Sequence, residues 1–116
     1  MGLTSNSAST TTGLMYTTTG TLTNTTATAI KTAGAMGVKN YLTGIQYQNT
    51  GATASTIIIL SGATVLLTLN APATMAMPAV MDFLTPLQTT PATALNVNCG
   101  TTGANILFNA QGYQAT

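Results

Sequence analysis

The chain has 116 residues but only three charged side chains, Lys31, Lys39 and Asp82, while it contains 27 threonines. A domain of this length ordinarily carries about 29 charged residues. A surface with so little charge favours association, so we expect much of it to be covered by partners. The length suits a single domain with one hydrophobic core.

The residue inventory excludes most kinds of chemistry. Histidine is absent, Cys99 is the single cysteine and Asp82 the single carboxylate side chain. These residues cannot form a nucleophile–base pair, a pair of catalytic carboxylates, or a zinc or calcium ligand set. Two lysines without arginine cannot neutralise a run of phosphates. We therefore predict a structural or interaction protein that is not an enzyme, needs no cofactor or metal, and does not bind nucleic acid.

Membrane insertion and secretion are not indicated either. The first residues lack the basic and apolar regions of a secretory signal. The most apolar stretch, 56–69, is too short for a membrane helix and is rich in β-branched residues. A lone Cys99 forms no intrachain disulfide, which suits a reducing compartment. Its alternation with Leu95 and Val97 predicts a buried cysteine that acts as a small hydrophobe.

The composition changes near residue 29. Residues 1–28 hold 12 of the 27 threonines and few apolar side chains, among them Leu3, Leu14, Met15 and Tyr16. Such a segment is typical of a low-complexity arm. We predict an extended arm over 1–28 that binds a partner or exchanges between subunits, with these four apolar residues as candidate contacts, and a β-sandwich over 29–116.

Short strands separated by turns follow. The first, over 38–48, places Tyr41, Thr43, Ile45 and Tyr47 on one face. A hairpin follows over 56–60 and 64–69, with a turn at 61–63.

This hairpin is apolar on both faces, and its second face carries Ile58, Leu60 and Leu66. Such an uncharged, β-prone segment is prone to aggregate when exposed. The second face is covered either within the monomer or by another subunit. Because no helix is predicted that would cover it, a subunit contact is favoured.

Two methionines, Met75 and Met77, lie in a predicted loop between Pro72 and Pro78. Methionine side chains adapt to irregular surfaces, so these residues either contact a partner or fill the end of the sandwich. A short strand over 80–84 follows and ends before Pro86. Both interpretations of the loop stay open at this point.

The last hairpin is predicted over 94–99 and 104–113, with its turn at 100–103. In both strands apolar residues alternate with Asn or Gln, as in half-buried antiparallel strands. No segment has a sustained helical period. Five or six strands from residue 38 onward, and one or two before it, predict an all-β fold: an antiparallel β-sandwich or jelly-roll-like domain with an extended N-terminal arm.

Several runs within 38–113 carry a resemblance to a known family. They are the segments 40–46, 49–55, 83–87, 94–97, 101–104 and 108–113, of which the closing Asn-Ala-Gln-Gly-Tyr is the most specific. In these runs the chain resembles small virion structural proteins of tailed phages. The resemblance implies a β-sandwich on the exterior of the capsid, and it carries no catalytic residues. The arm over 1–28 lies outside it.

These observations lead to one main hypothesis. We expect a capsid decoration, or cement, protein that is made in the host cytoplasm and binds the major capsid protein on the outside of the assembled head. By analogy with such proteins, we expect a homotrimer at local three-fold positions. Shape, apolar contacts and main-chain pairing would hold it there, with little contribution from charge.

Two other functions remain open. One is a receptor- or glycan-binding module of a head fibre or tail, to which Tyr41, Tyr47 and Tyr113 would contribute. The other is ice binding, suggested by Thr-x-Thr spacings within the arm, although these spacings lack the fixed period of an ice-binding solenoid.

Overall fold

The computed structural model describes residues 14–116, which form eight β-strands and no helix. The all-β prediction is confirmed. The six strands after residue 38 and the two before it also agree with the predicted number. The strands are β1 (Leu14–Leu22), β2 (Thr28–Lys31), β3 (Lys39–Asn49), β4 (Ser55–Ser61), β5 (Thr64–Ala71), β6 (Ala79–Gln88), β7 (Leu95–Cys99) and β8 (Ile106–Ala115).

The strands form two four-stranded antiparallel sheets. The first has the order β1-β8-β3-β6 and the second the order β2-β7-β4-β5. Only β4 and β5 are consecutive strands that pair with each other; every other connection between the described strands crosses from one sheet to the other. This strand order is that of a jelly roll.

The core lies between the two sheets. Period-two alternation turns one side of each strand inward, so that residues of both sheets meet there. Cys99 is among them and is fully buried, which confirms its predicted packing. Among the described residues, the fully buried apolar side chains are Leu42, Ile45, Ile57, Ile59, Ala71, Leu95, Val97, Cys99, Ile106 and Ala110.

The apolar hairpin is confirmed as β4 and β5. Ile57 pairs with Leu69 and Ile59 with Leu67, and the turn contains Gly62, whose positive φ of 59° suits glycine. The next pair joins Leu60 to Val65, so β5 has one extra residue, Leu66, at this point. This bulge bends the strand and turns Leu66 against the core.

The predicted second hairpin is wrong. Its two strands exist as β7 and β8, but they lie in different sheets and do not pair. The connection after Cys99 crosses the open end of the sandwich, so the apolar sides of the two strands face each other across the core. Alternation shows which side of a strand is buried, and it is the same whether consecutive strands pair or face each other.

The predicted faces of β3 also need a correction. Tyr41 pairs with Tyr113 whereas Ile45 pairs with Ala110, so their side chains point to opposite sides of the sheet. The register shifts between Leu42 and Gly44. This bulge reverses the alternation, and it brings Leu42 rather than Tyr41 into the core with Ile45.

Part of the predicted arm belongs to the sandwich. Residues Leu14–Leu22 form β1, which pairs with β8 along its whole length. The sandwich therefore includes residues 14–22, which the prediction assigned to the arm. Residues 1–13, with the candidate contact Leu3, lie outside the described residues.

Candidate functional site

The predicted contact residues occupy three kinds of position. Met15 and Met77 are exposed, at 81% and 74%. Four others are half-buried. Tyr16, Leu66 and Met75 pack against the core, and Ile58 does not. Leu60 is 8% exposed. For Leu14 only the backbone position at the start of β1 is described.

Tyr16 is held by β8 and β3. Its ring lies where a Cβ on Gly112, its cross-strand partner, would stand, and its hydroxyl donates a hydrogen bond of 2.6 Å to the carbonyl oxygen of Tyr41. Further along the pair, the ring of Phe108 lies against Gly20. Two glycines thus let aromatic rings of neighbouring strands lie flat on the sheet, and this attaches β1 to the sandwich.

The loop methionines differ in role. The backbone N–H of Met75 donates to the carbonyl oxygen of Asn49 over 2.8 Å, and its carbonyl oxygen accepts from Gln48 Nε2 over 2.9 Å. Met75 therefore fixes the loop onto the end of β3 and packs against the core. Met77 projects outward and is free to contact another molecule. The structure thus shows Met75 filling the end of the sandwich, whereas a partner contact at Met77 stays a prediction.

Two asparagines that the sequence interpretation did not single out fix the ends of β3. Asn40 Nδ2 donates to the carbonyl oxygens of Lys31, Thr32 and Thr93 at 3.0–3.3 Å, and its Oδ1 accepts from Gln114 Nε2. Asn40 and its counterpart at the other end of the strand, Asn49, are almost fully buried. A buried amide must satisfy its hydrogen-bonding groups within the fold. An asparagine at a strand position that the alternation assigns to the core could therefore have been recognised as a structural residue from the sequence.

Asn49 performs the same task at the other end. Its Nδ2 donates to the carbonyl oxygens of Thr53 and Ala71 at 2.8 and 3.0 Å. Its Oδ1 accepts from the backbone N–H groups of Gly51 and Asn105. One side chain thereby joins three connections of the jelly roll.

The outer side of the first sheet is rich in amides and carries Asp82, whose carboxylate lies over Gly44 beside Gln111; we call it the amide face. Its central pair is Gln46 and Gln111, whose side chains donate hydrogen bonds to each other at 3.1 and 2.7 Å. Asn109 Oδ1 is buried there and has no hydrogen-bond partner. The threonine, asparagine and glutamine side chains along the centre of this face are Thr17, Thr19, Thr21, Gln46, Gln48, Asn109 and Gln111.

Tyr41 and Tyr113 lie at one end of the amide face. Their rings stack with centroids 4.7 Å apart and planes 11° from parallel. Tyr47 points to the core instead and donates its hydroxyl to the carbonyl oxygen of Asn70 over 2.6 Å. The structure therefore brings together two of the three tyrosines that were considered for glycan binding.

Two shallow cavities lie along the surface of the described residues. One, of about 290 Å³, lies beside Lys39 and is lined mainly by hydroxyl side chains and Gln88. The other, of about 210 Å³, lies on the amide face between Gln48, Pro78 and Leu107. Neither holds a cluster of ionisable groups.

The three charges lie apart from one another. Lys39 Nζ donates to Gln88 Oε1 over 3.5 Å, and Lys31 Nζ lies 5.9 Å from the centre of the Tyr16 ring. Asp82 extends over Gly44. Within residues 14–116 no group of three or more His, Cys, Asp or Glu residues gathers into a metal-binding cluster. The same residues form no helix with the length and apolar character that crossing a membrane requires.

No family model matches the chain, and no curated protein is significantly similar to it.

Proposed function

We propose that this protein is a decoration protein of a tailed-phage capsid, which binds the exterior of the assembled head and stabilises it. The observation that carries the proposal is the neutral surface of the sandwich. Between its few charges it exposes large apolar side chains that the monomer leaves uncovered: Met15, Met36, Val65, Met77, Val80, Leu84 and Leu107. Such a surface suits a permanent position among neighbouring subunits.

Two further points support the proposal. The runs within 38–113 resemble small virion proteins, and the jelly-roll order is one that capsid proteins use. Fold alone does not establish function. The major capsid protein is the proposed partner, and a trimer at local three-fold positions is the proposed arrangement.

Binding to heads tests this function. Heads assembled without the protein are mixed with the purified full chain, and occupancy is measured by sedimentation and by cryo-electron microscopy. We expect hundreds of copies spread over the head. A few copies confined to the tail, or none bound, would overturn the proposal.

The salt dependence of the same binding tests its mechanism. Because apolar contacts and main-chain hydrogen bonds are screened little, occupancy should change less than about twofold between roughly 0.05 and 0.5 M salt. A collapse of binding over this range would show that charge holds the protein on the head.

A glycan-binding module is the second candidate, and the amide face favours it. Amide side chains and stacked tyrosines recognise sugar hydroxyls and sugar rings, and lectins also use jelly rolls. Binding to a glycan array that is lost in Tyr113→Ala but retained in Tyr47→Phe, whose hydroxyl points to the core, would support it. The absence of any bound glycan would exclude it.

A further inference from the structure

The two sheets end in four edge strands: β1 and β6 in the first sheet, β2 and β5 in the second. An edge strand exposes unpaired N–H and C=O groups to other chains. Proteins usually protect such edges with charges, prolines, bulges or short strands. Comparison of these four edges shows which of them lacks protection.

Three of the edges are protected. The β2 edge has only four residues and carries Lys31 after a shift in register. The β6 edge contains Asp82 and Pro86, and its register with β3 is irregular between them. In β5 the bulge at Leu66 interrupts the strand.

The β1 edge has none of these protections. Its nine residues pair with β8 without a register shift, from Leu14 opposite Gln114 to Leu22 opposite Ile106. The strand has neither a charge nor a proline. Met15 and the threonines at 17, 19 and 21 are exposed along its outer side. β1 is therefore the one regular, unprotected edge among the described strands.

We propose that β1 binds β1 of a second copy of this chain, antiparallel, around a two-fold axis that passes through Thr18. In this register Thr17 lies opposite the partner's Thr19, and Met15 opposite the partner's Thr21. The first sheets of the two copies then join into one eight-stranded sheet. The inference concerns the isolated protein and does not depend on the proposed function.

The side chains of β1 suit pairing with themselves. On the outer side the register brings threonine opposite threonine, a favourable cross-strand pair. On the inner side it brings Tyr16, whose ring lies over Gly112 of its own copy, opposite the partner's Gly20, so that no two large side chains meet directly across the strands. No charges face each other across the two strands, because β1 itself carries none.

The size of the contact limits its strength. A strand of nine residues is about 30 Å long, so one strand pair covers less area than a standard stable interface. We therefore expect a weak dimer whose population depends on protein concentration. A high local concentration, as on a particle surface, would favour it.

Disulfide formation tests the register. Full-length Thr17→Cys and Thr19→Cys chains are each oxidised alone and as a mixture, and cross-linked dimers are measured on non-reducing gels. The mixture should cross-link several-fold more than either variant alone, because residues 17 and 19 face each other whereas two copies of one position are offset beyond disulfide reach. Native Cys99 is buried and does not compete. Equal cross-linking in all three samples would overturn the register.

Adding a charge to the edge strand tests whether β1 forms the dimer contact. Thr19→Lys on β1 should reduce dimerisation at least tenfold by sedimentation equilibrium, whereas Thr68→Lys, at an exposed position of β5, should not. Circular dichroism checks that both variants fold. Removal of residues 1–13 should leave the dimer intact. An unchanged dimer in Thr19→Lys would overturn the proposal. Loss of the dimer when residues 1–13 are removed would also overturn it, and would assign the contact to residues 1–13.

Discussion

At the level of single residues, buried amides rather than charges hold the connections of this fold in place. Asn40 and Asn49 each use both ends of the side-chain amide within the protein. In this chain of three charges, these two amides connect segments that are distant in sequence, as ion pairs do in more highly charged proteins. A hydrogen bond of this kind contributes about 1 kcal/mol, but an unpaired buried group costs about 1–3 kcal/mol.

Replacing Asn49 with alanine should therefore be costly. The change leaves two carbonyl oxygens and two N–H groups without partners, and we expect a loss of about 3 kcal/mol or more in the free energy of unfolding. Asn96→Ala is the matched control, because Asn96 is half-buried and its amide donates only to the carbonyl oxygen of Gly62; it should cost about 1 kcal/mol. Urea denaturation measures both. Similar losses would contradict this role of Asn49.

Tyr16 makes stability depend on pH in the alkaline range. Burial raises the pKa of its hydroxyl above the ordinary value of 10.0. The folded protein thus keeps the proton where the unfolded chain releases it, so stability is complete below about pH 10 and falls as the pH rises further. Burial raises the pKa of Tyr47 in the same direction.

The Tyr16→Phe variant separates the contribution of the Tyr16 hydrogen bond from that of its ionisation. It should lose about 1 kcal/mol at neutral pH, because the carbonyl oxygen of Tyr41 loses its donor. From about pH 9 to about pH 11 it should then lose less stability than the wild type. Urea denaturation at each pH provides the comparison. Parallel curves for the two proteins would show that Tyr16 does not cause the alkaline dependence.

Gly112 is required for space rather than for backbone conformation. A Cβ there would collide with the carbonyl oxygen of Tyr41 and with the ring of Tyr16. Gly112→Ala should therefore cost about 3 kcal/mol or more. Gly37→Ala is the control: Gly37 has a φ of 82° and open space around its Cβ position, so it should cost about 1–2 kcal/mol through backbone strain alone. Thermal unfolding ranks the two, and a smaller loss in Gly112→Ala would contradict the collision.

At the level of secondary-structure elements, β1 shows how composition can mislead. Its threonines suggest an unstructured arm, but alternate residues face the core, where Leu22 is buried and Thr18 Oγ1 donates to the carbonyl oxygen of Ile30. Pairing with β8 supplies the remaining stabilisation. Threonine favours strands, so the local propensity of this segment agrees with its pairing, and only its low-complexity composition suggested an arm.

Two truncations test this assignment. Removal of residues 1–13 keeps all eight described strands and the contacts between them, and we expect the melting temperature to change by only a few degrees. Removal of residues 1–22 deletes β1 and exposes the edge of β8, so we expect unfolding or aggregation. Circular dichroism melts and light scattering distinguish the two. A stable, soluble chain that lacks residues 1–22 would show that β1 is dispensable.

At the level of the whole molecule, the scarcity of charge leaves apolar side chains as the main candidates for contact with a partner. Val80 and Leu84 belong to the same strand, β6, and are both exposed. Their positions at an exposed sheet edge make them accessible to a large partner without any change in the fold.

Glutamine at both positions tests their role without adding charge. The double variant Val80→Gln, Leu84→Gln should bind heads at least tenfold more weakly, while its free energy of unfolding stays within about 0.5 kcal/mol of the wild type. Met36→Gln, at another exposed position outside the strands, is the control and should keep full binding if β6 forms the contact. Unchanged binding by the double variant would remove β6 from the proposed surface.

The positions of the strands were largely predictable, and their neighbours were not. Alternation located β4, β5, β7 and β8, and it identified Cys99 as buried, because burial on one side of a strand follows from local sequence. It did not reveal the bulge next to Leu42 or the burial of Asn40 and Asn49. Bulges and buried amides depend on groups that are distant along the chain.

The sequence by itself determined that this protein is all-β, nearly without charge and poor in catalytic groups, because these properties follow from composition and short-range periodicity. Only the tertiary structure decided that β7 and β8 face each other across the core, that Leu14–Leu22 belongs to the first sheet, and that it is an edge strand among the described strands. The physical reason is that strand pairing is a contact between distant segments. Which strands pair depends on how all the strands together bury their apolar sides.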